Sequence, residues 1–248
     1  MEARPSEQEV REALARIEAA VSRGDIDLRS LGFWRLVHAV ELSEEDADRW
    51  ADQIARIDGV AFRTAVRLRA PVWLGNALLL GGVLAGALAV AVALTTRSGV
   101  LAGLALILAG GIWSVCIHCP AHWAVGRIVG VRFTDYFVGG PFPPRPGLKI
   151  DYASYLRSDP SGRATMHASG AMATKLAPFV ALAFWPFTVA PWWSAAALLA
   201  LGVIQIATDI LFSVRSSDWK KVRRERAVAR ARSSRPYTEG TGELGRPG

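Results

Sequence analysis

Three stretches of this chain contain no Asp, Glu, Lys or Arg: residues 70–96, 98–126 and 176–208. A helix rises about 1.5 Å per residue, so each run is long enough to cross the ~30 Å hydrocarbon core of a bilayer. The chain as a whole is only 51% hydrophobic, because charged ends dilute these runs. They make it a polytopic membrane protein. The third run, 33 residues long, would reach roughly 50 Å as one helix. Pro191, followed by Trp192 and Trp193, is its natural break, since proline ends helices and tryptophan favours the bilayer interface. Four crossings are expected, at 71–95, 99–125, 168–190 and 192–213, in an all-α fold.

Lys and Arg exceed Asp and Glu by 29 to 22, and their placement is uneven. Arg63, Arg67 and Arg69 precede the first crossing, Arg127 to Arg163 populate the loop between the second and third, and "DWKKVRRERAVARARSSR" follows the fourth. The short connections around Arg97 and Pro191 are nearly uncharged. Positive-inside placement then puts both termini and the middle loop in the cytoplasm of a multi-pass cell-membrane protein. The positive charge is spent on topology and on lipid head groups, so the bilayer is the expected partner and nucleic acid is not.

The N-terminus is charged and has no apolar stretch before a small-residue site, so no secretory signal peptide is expected. Residues 6–23 have the pattern of an amphipathic helix, with Ser6 and Glu9 as a capping box and Val10, Leu14, Ile17 and Val21 on one stripe. A second helix is expected from Ser43, with Ala47, Trp50, Ile54 and Ile57 repeating to near Gly59. Residues 1–62 form a small cytoplasmic helical domain, in which Trp34, Leu36, Val37 and His38 pack between the helices. A membrane domain, 63–226, and a basic disordered tail, 227–248, complete the chain. In the middle loop, glycine and proline at 139–147 forbid a helix, and "LKIDYASYL" alternates as a short strand or extended surface segment.

The chemistry concentrates in "SVCIHCPAHWAVGRIVG", residues 114–130. His118 and His122 are four apart and share one helix face, which suits either a hydrogen-bonded structural pair or a metal pair. Asp218 lies just beyond the fourth crossing, at the same bilayer face as the histidines, and supplies a third oxygen ligand there. Asp135 and Asp151 are alternatives that no spacing ties to the histidines. Cys116 and Cys119 form a CxxC without a thioredoxin-like context, and are read as reduced membrane-embedded thiols; Cys119 and His122 could also share a metal. Lys175 is expected to snorkel to the surface, and His38 to pack or face solvent.

The order of these elements resembles the site-2 protease family of intramembrane zinc metalloproteases. "HCPAH" stands where that family has HExxH, "HASGAMATKLAPF" is similar to its small-residue helix, and "TDILFSVRSSDWKKVRRE" is similar to its last ligand segment. The resemblance covers about residues 71–226. It implies zinc on His118, His122 and Asp218, with Asp209 near the position of the family's asparagine, and transmembrane proteins as substrates or partners. Two departures matter. The family's glutamate, the general base, is Cys119 here, followed by Pro120, which removes a helix donor and bends the helix near the site. The family's Asp-Gly is Asp218-Trp219. A thiol beside zinc becomes a ligand sooner than a proton shuttle. The expected function is therefore a metal-binding regulatory or partner-binding relative without glutamate-assisted proteolysis. The alternative is an active metalloprotease or other hydrolase whose base is Asp209, with His167, a proton donor or oxyanion stabiliser if not a solvated loop residue, next in line.

Overall fold

The computed structural model describes residues 5–139, 145–212 and 218–234. Four of its helices are long and apolar enough to cross a membrane: α4 (Val72–Thr95), α5 (Gly99–Cys116), α8 (Pro160–Ala183, continued by a 3-10 turn at Trp185–Phe187) and α9 (Trp192–Phe212). The apolar face of this bundle points outward. Leu78, Leu84, Leu88, Leu108, Val203 and Ile210 are exposed, which suits hydrocarbon and not water. Small residues fill the inside, with Ala93, Ala102, Ala109 and Ala181 fully covered around Leu106 and Leu198. Polar side chains stitch the helices: the Trp113 indole donates to the Val83 carbonyl at 2.9 Å, and Gln205 donates to Ser114 at 3.1 Å.

Two expected crossings differ in extent. The second does not run unbroken to 125. It stops at Cys116, and a separate helix α6 (His118–Ile128) begins after Ile117. Pro120 has no N–H to give the Cys116 carbonyl, so the hydrogen-bond ladder opens there. The third begins at Pro160, eight residues before the expected 168, with Asp159 accepting from the Gly162 N–H as its cap. Its low apolarity hid these first two turns. The fourth crossing ends at Phe212 among the described residues, and Ser213 lies outside them.

The N-terminal unit contains α1 (Glu7–Ser22), α2 (Phe33–Glu41) and α3 (Glu44–Ala65). The Ser6 and Glu9 capping box is formed, Ser43 caps α3, and α3 runs past Gly59 to Ala65. Leu14, Phe33, Val40, Ile54 and Ile57 make its core, joined by Leu156 from the middle loop. That loop is not simply extended. Strands β1 (Arg69–Pro71), β2 (Phe133–Gly139) and β3 (Arg145–Ile150) form an antiparallel sheet in the order β1-β2-β3, with Ala70 opposite Tyr136 and Tyr136 opposite Leu148. After Ile150 the alternating pattern turns into a helix, α7 (Tyr152–Arg157), whose cap is Asp151. Most of the Gly-Pro cluster, residues 140–144, lies outside the described residues.

These pieces are tied to one another. Tyr136 donates to Asn76 at 2.7 Å, and its ring lies so close to Gly75 that a side chain there would collide with it. The sheet is thereby held on the first turn of α4. Lys149 on β3 pairs with Asp58 on α3, and Arg157 on α7 makes bonds of 2.8–2.9 Å to Asp48 and Asp52. The last helix, α10 (Asp218–Ser233), packs along α8 through Val222, Glu225 and Val228. Residues 227–233, expected as the start of a disordered tail, thus belong to a packed helix; residues 235–248 lie outside the described residues. Basic composition concealed the buried i, i+3 stripe of α10.

Candidate metal centre

The break at Ile117 starts a fresh helix on His118, and at four-residue spacing His122 rises on the same face. Helix α8 runs alongside and holds both rings from one of its own faces, using positions 166, 170 and 174. The Met166 carbonyl accepts from His122 Nδ1 at 2.7 Å. A donor at Nδ1 leaves the lone pair of a neutral ring on Nε2, which is the tautomer a metal ligand needs. The Thr174 hydroxyl sits 3.0 Å from His118 Nδ1, so that ring also turns Nε2 inward. Gly170, between these two anchors, makes the space: a Cβ built there would overlap the His122 ring at Nε2.

The third arm comes from far along the chain. α10 packs on α8 with its first residue, Asp218, directed at the histidines, where a carboxylate also suits the positive end of a helix. The three ligand atoms form a near-equilateral triangle. His122 Nε2 lies 3.3 Å from His118 Nε2 and 3.3 Å from Asp218 Oδ2, and His118 Nε2 lies 3.4 Å from Asp218 Oδ2. A tetrahedral ion bound at about 2.0–2.1 Å from each ligand needs its ligands about 3.3–3.4 Å apart. Among the described residues this is the group of ligating side chains that could hold an ion. Burial pushes the Asp218 carboxyl upward, but the neighbouring His122 ring and the Lys221 ammonium, 3.0 Å away, outweigh burial and hold it well below the usual carboxylate range. It is an anionic donor at neutral pH.

The triangle opens onto a cavity of about 150 Å³, roomy enough for water. Phe133, Gly147, Leu148 and Ile150 form one wall, and Cys119 and His167 lie on the ligand side. Structural zinc sites are closed, whereas sites that bind substrate or water keep a position free. Three potential ligands facing a cavity would leave such a position free.

The other expected site residues divide sharply. His167 is not in a solvated loop; it is 4% exposed, inside α8, and on the cavity wall. Asp209 is not shown at the triangle. Its carboxylate is 2.7 Å from Lys175 and accepts from the Trp219 indole at 2.6 Å. Lys175 therefore has a half-buried carboxylate partner besides the Ala171 carbonyl, and it does not reach out alone to the surface. Arg215, the other candidate partner of Asp209, lies outside the described residues. Asp135 lies in β2 and Asp151 caps α7, so neither joins the triangle. His38 is paired with Glu41 at 2.8 Å. Cys116 packs its sulfur against Gly82 of α4, away from Cys119, and both thiols are free.

Sequence reasoning missed Thr174, Gly170 and the Met166 carbonyl as supports, and Tyr155 and Glu225 behind His167. The four-residue spacing of 166, 170 and 174 was available as a signal, but nothing in one sequence says which face of α8 meets α6. No protein-family model, no curated protein and no solved structure matches the chain.

Proposed function

We propose that the protein is a divergent, site-2 protease-like membrane metalloprotein that holds a zinc-type ion on His118, His122 and Asp218 at the cytoplasmic end of its bundle. The observation that carries this reading is the triangle of 3.3, 3.3 and 3.4 Å separations between the ligand atoms, in which a histidine pair oriented by α8 meets an aspartate 96 residues further along the chain. The order of elements, a paired-histidine helix, a small-residue helix and a late aspartate, supports the family likeness. Cys119 occupies the place of that family's base, so glutamate-assisted peptide hydrolysis is not its chemistry. The primary role is then metal-dependent regulation or partner binding, and the N-terminal helices, anchored through Arg157 and Lys149 to the loop that walls the cavity, give a partner a route to the site.

A bound ion would supply Lewis-acid polarisation of an oxygen ligand in the open position. His118 and His122 offer neutral nitrogen donors and Asp218 a charged oxygen, a set suited to zinc. The test is metal analysis of the full chain purified in detergent. About one zinc ion per chain is expected, lost from His118→Ala, His122→Ala and Asp218→Asn. Equal zinc in the wild type and in a chain lacking both histidines sinks the reading.

Orientation is tested separately. With both termini and the middle loop inside, reporter fusions after residues 97 and 191 read outside, and fusions after 150 and 235 read inside. An external middle loop removes the placement of the site at the cytoplasmic face.

A second reading, hydrolysis with a base other than glutamate, is favoured by one observation: His167 lines the same cavity as the triangle. Asp209 is a poorer base, because Lys175 and Trp219 engage its carboxylate.

A further inference from the structure

Behind the cavity lies a chain of buried polar groups that the metal triangle does not use. Tyr155 on α7 is 2% exposed, and its hydroxyl donates to Glu225 Oε1 at 2.7 Å. The same oxygen lies 3.2 Å from the donating Arg224 Nη2 and 2.9 Å from His167 Nε2. A phenol has one proton and two acceptor lone pairs. The proton goes to Glu225, which is flanked by Arg163 and Arg224 at 2.7 Å each and serves as an acceptor. The hydroxyl oxygen is therefore an acceptor toward both Arg224 and His167, and His167 Nε2 must be the donor. In a neutral imidazole a proton on Nε2 leaves the lone pair on Nδ1. Nδ1 has no hydrogen-bond partner among the described residues, and the ring, 4% exposed, lines the cavity beside His122, with the two ring centroids 6.4 Å apart.

We propose that Tyr155 and Glu225 lock His167 in its Nε2-protonated tautomer, so that His167 Nδ1 is the proton acceptor of the metal cavity. This deepens the hydrolytic reading and rests on the metal site for what fills the cavity. Of the roles expected from sequence, proton donor, oxyanion stabiliser or, after Asp209, next in line as base, it selects the last, and it replaces the missing glutamate with a group from another helix. The step balances. As a water oxygen forms a bond to an amide carbonyl carbon, one of its O–H bonds breaks and that proton passes to Nδ1. The C–N bond then breaks, the nitrogen takes the proton from Nδ1, and amine and carboxylic acid leave with His167 neutral again. During the interval the imidazolium keeps its Nε2–H on Tyr155, whose hydroxyl remains bonded to the Glu225 carboxylate. That arrangement both orients the ring and offsets its charge, the job a buried aspartate does for the histidine of a serine protease. Burial and the Glu225 carboxylate push the Tyr155 phenol well above its ordinary range, so it keeps its proton throughout.

The test has two arms on the full-length protein in detergent. In the first, ¹⁵N-labelled histidine is read by NMR in metal-free protein, with His167 assigned by its disappearance in His167→Gln. The expected spectrum shows His167 as the single Nε2–H tautomer, replaced by a tautomer mixture in Tyr155→Phe, which removes one oxygen and no packing. A wild-type Nδ1–H tautomer overturns the proposal whatever the metal does. In the second arm, zinc-loaded protein is titrated with acetohydroxamate, which offers an acidic proton to an acceptor in the cavity. His167→Phe should retain its zinc and bind hydroxamate at least about tenfold more weakly, the loss of one charge-assisted hydrogen bond, and Tyr155→Phe should weaken it severalfold. Unchanged hydroxamate affinity in His167→Phe overturns the acceptor role. Loss of zinc from His167→Phe also overturns it, because the histidine would then be a fourth ligand. A wild type that takes up no zinc sinks the preceding metal reading, and the tautomer of the metal-free protein then decides this proposal alone.

Discussion

Gly170→Ala is expected to abolish metal retention while leaving the protein folded. An alanine inside an exposed helix is favoured over glycine by about 1 kcal/mol, so helix α8 itself gains. The cost falls on one neighbour, because the new Cβ collides with the His122 ring at Nε2. The ring cannot stay there and still donate from Nδ1 to the Met166 carbonyl. Losing that support alone costs roughly 10–100-fold in metal affinity, and losing the ligand position as well exceeds it. The measurement is zinc content after dialysis against a weak chelator, beside thermal unfolding. Gly111→Ala in α5 is the control, since a Cβ there meets nothing within 4 Å, and it should keep its zinc. A Gly170→Ala protein with wild-type zinc content would show that His122 is not held where the triangle needs it.

The largest effect on stability is expected at the ion pair between α8 and α10. Arg163 and Glu225 are both 0% exposed. Arg163 Nε lies 2.7 Å from Glu225 Oε2, yet neither atom makes an aligned hydrogen bond, so the attraction is chiefly charge on charge. The guanidinium also donates to the Tyr155 carbonyl at 3.2 Å, and the next carboxylate, Glu41 of α2, is 3.9 Å away. Glu225→Ala strips Arg163 of its close partner and leaves the Tyr155 hydroxyl without its acceptor, an unpaired buried charge that costs about 3–5 kcal/mol. For a chain of this size that lowers the unfolding midpoint on the order of 10 °C. Replacing the pair together, Arg163→Met with Glu225→Leu, removes both charges and should recover most of the loss, because apolar substitutes for a buried pair are often neutral. If the double variant is no more stable than Glu225→Ala, the cost lies in packing and not in the orphaned charge. The same variants release the start of α10, so Glu225→Ala should also weaken zinc binding through Asp218, and the double variant should restore it in part.

What was legible in the sequence follows from distances along the chain. Uncharged runs longer than a bilayer is thick have few alternatives, and α4 and α9 begin within one residue of where hydropathy and Pro191 put them. Caps are equally local, so Ser6 and Ser43 mark their helices. The pairing of His118 with His122 needs only the pitch of a helix, and Asp218 could be added because membrane topology limits which ends share a bilayer face. Hydropathy failed where burial is by protein and not lipid. The first turns of α8 carry Arg163 and His167 at 0% and 4% exposure, and a charge hidden by a partner on another helix looks, in one dimension, like a charge in water.

The sequence by itself determined that this is a four-span membrane protein with a helical N-terminal unit and a histidine pair at one end of its second span, because these depend on periodicity, length and charge within a few turns. Only the tertiary structure decided that α8 is the helix that orients both histidines, that Asp209 is spent on Lys175, that the middle loop builds a sheet over the cavity, and that His167 is presented to that cavity by Tyr155 and Glu225. Those outcomes depend on which helix faces meet. The meeting is set by small residues such as Gly170 and by buried charge pairs whose members stand dozens of residues apart, and no local property of the chain records them.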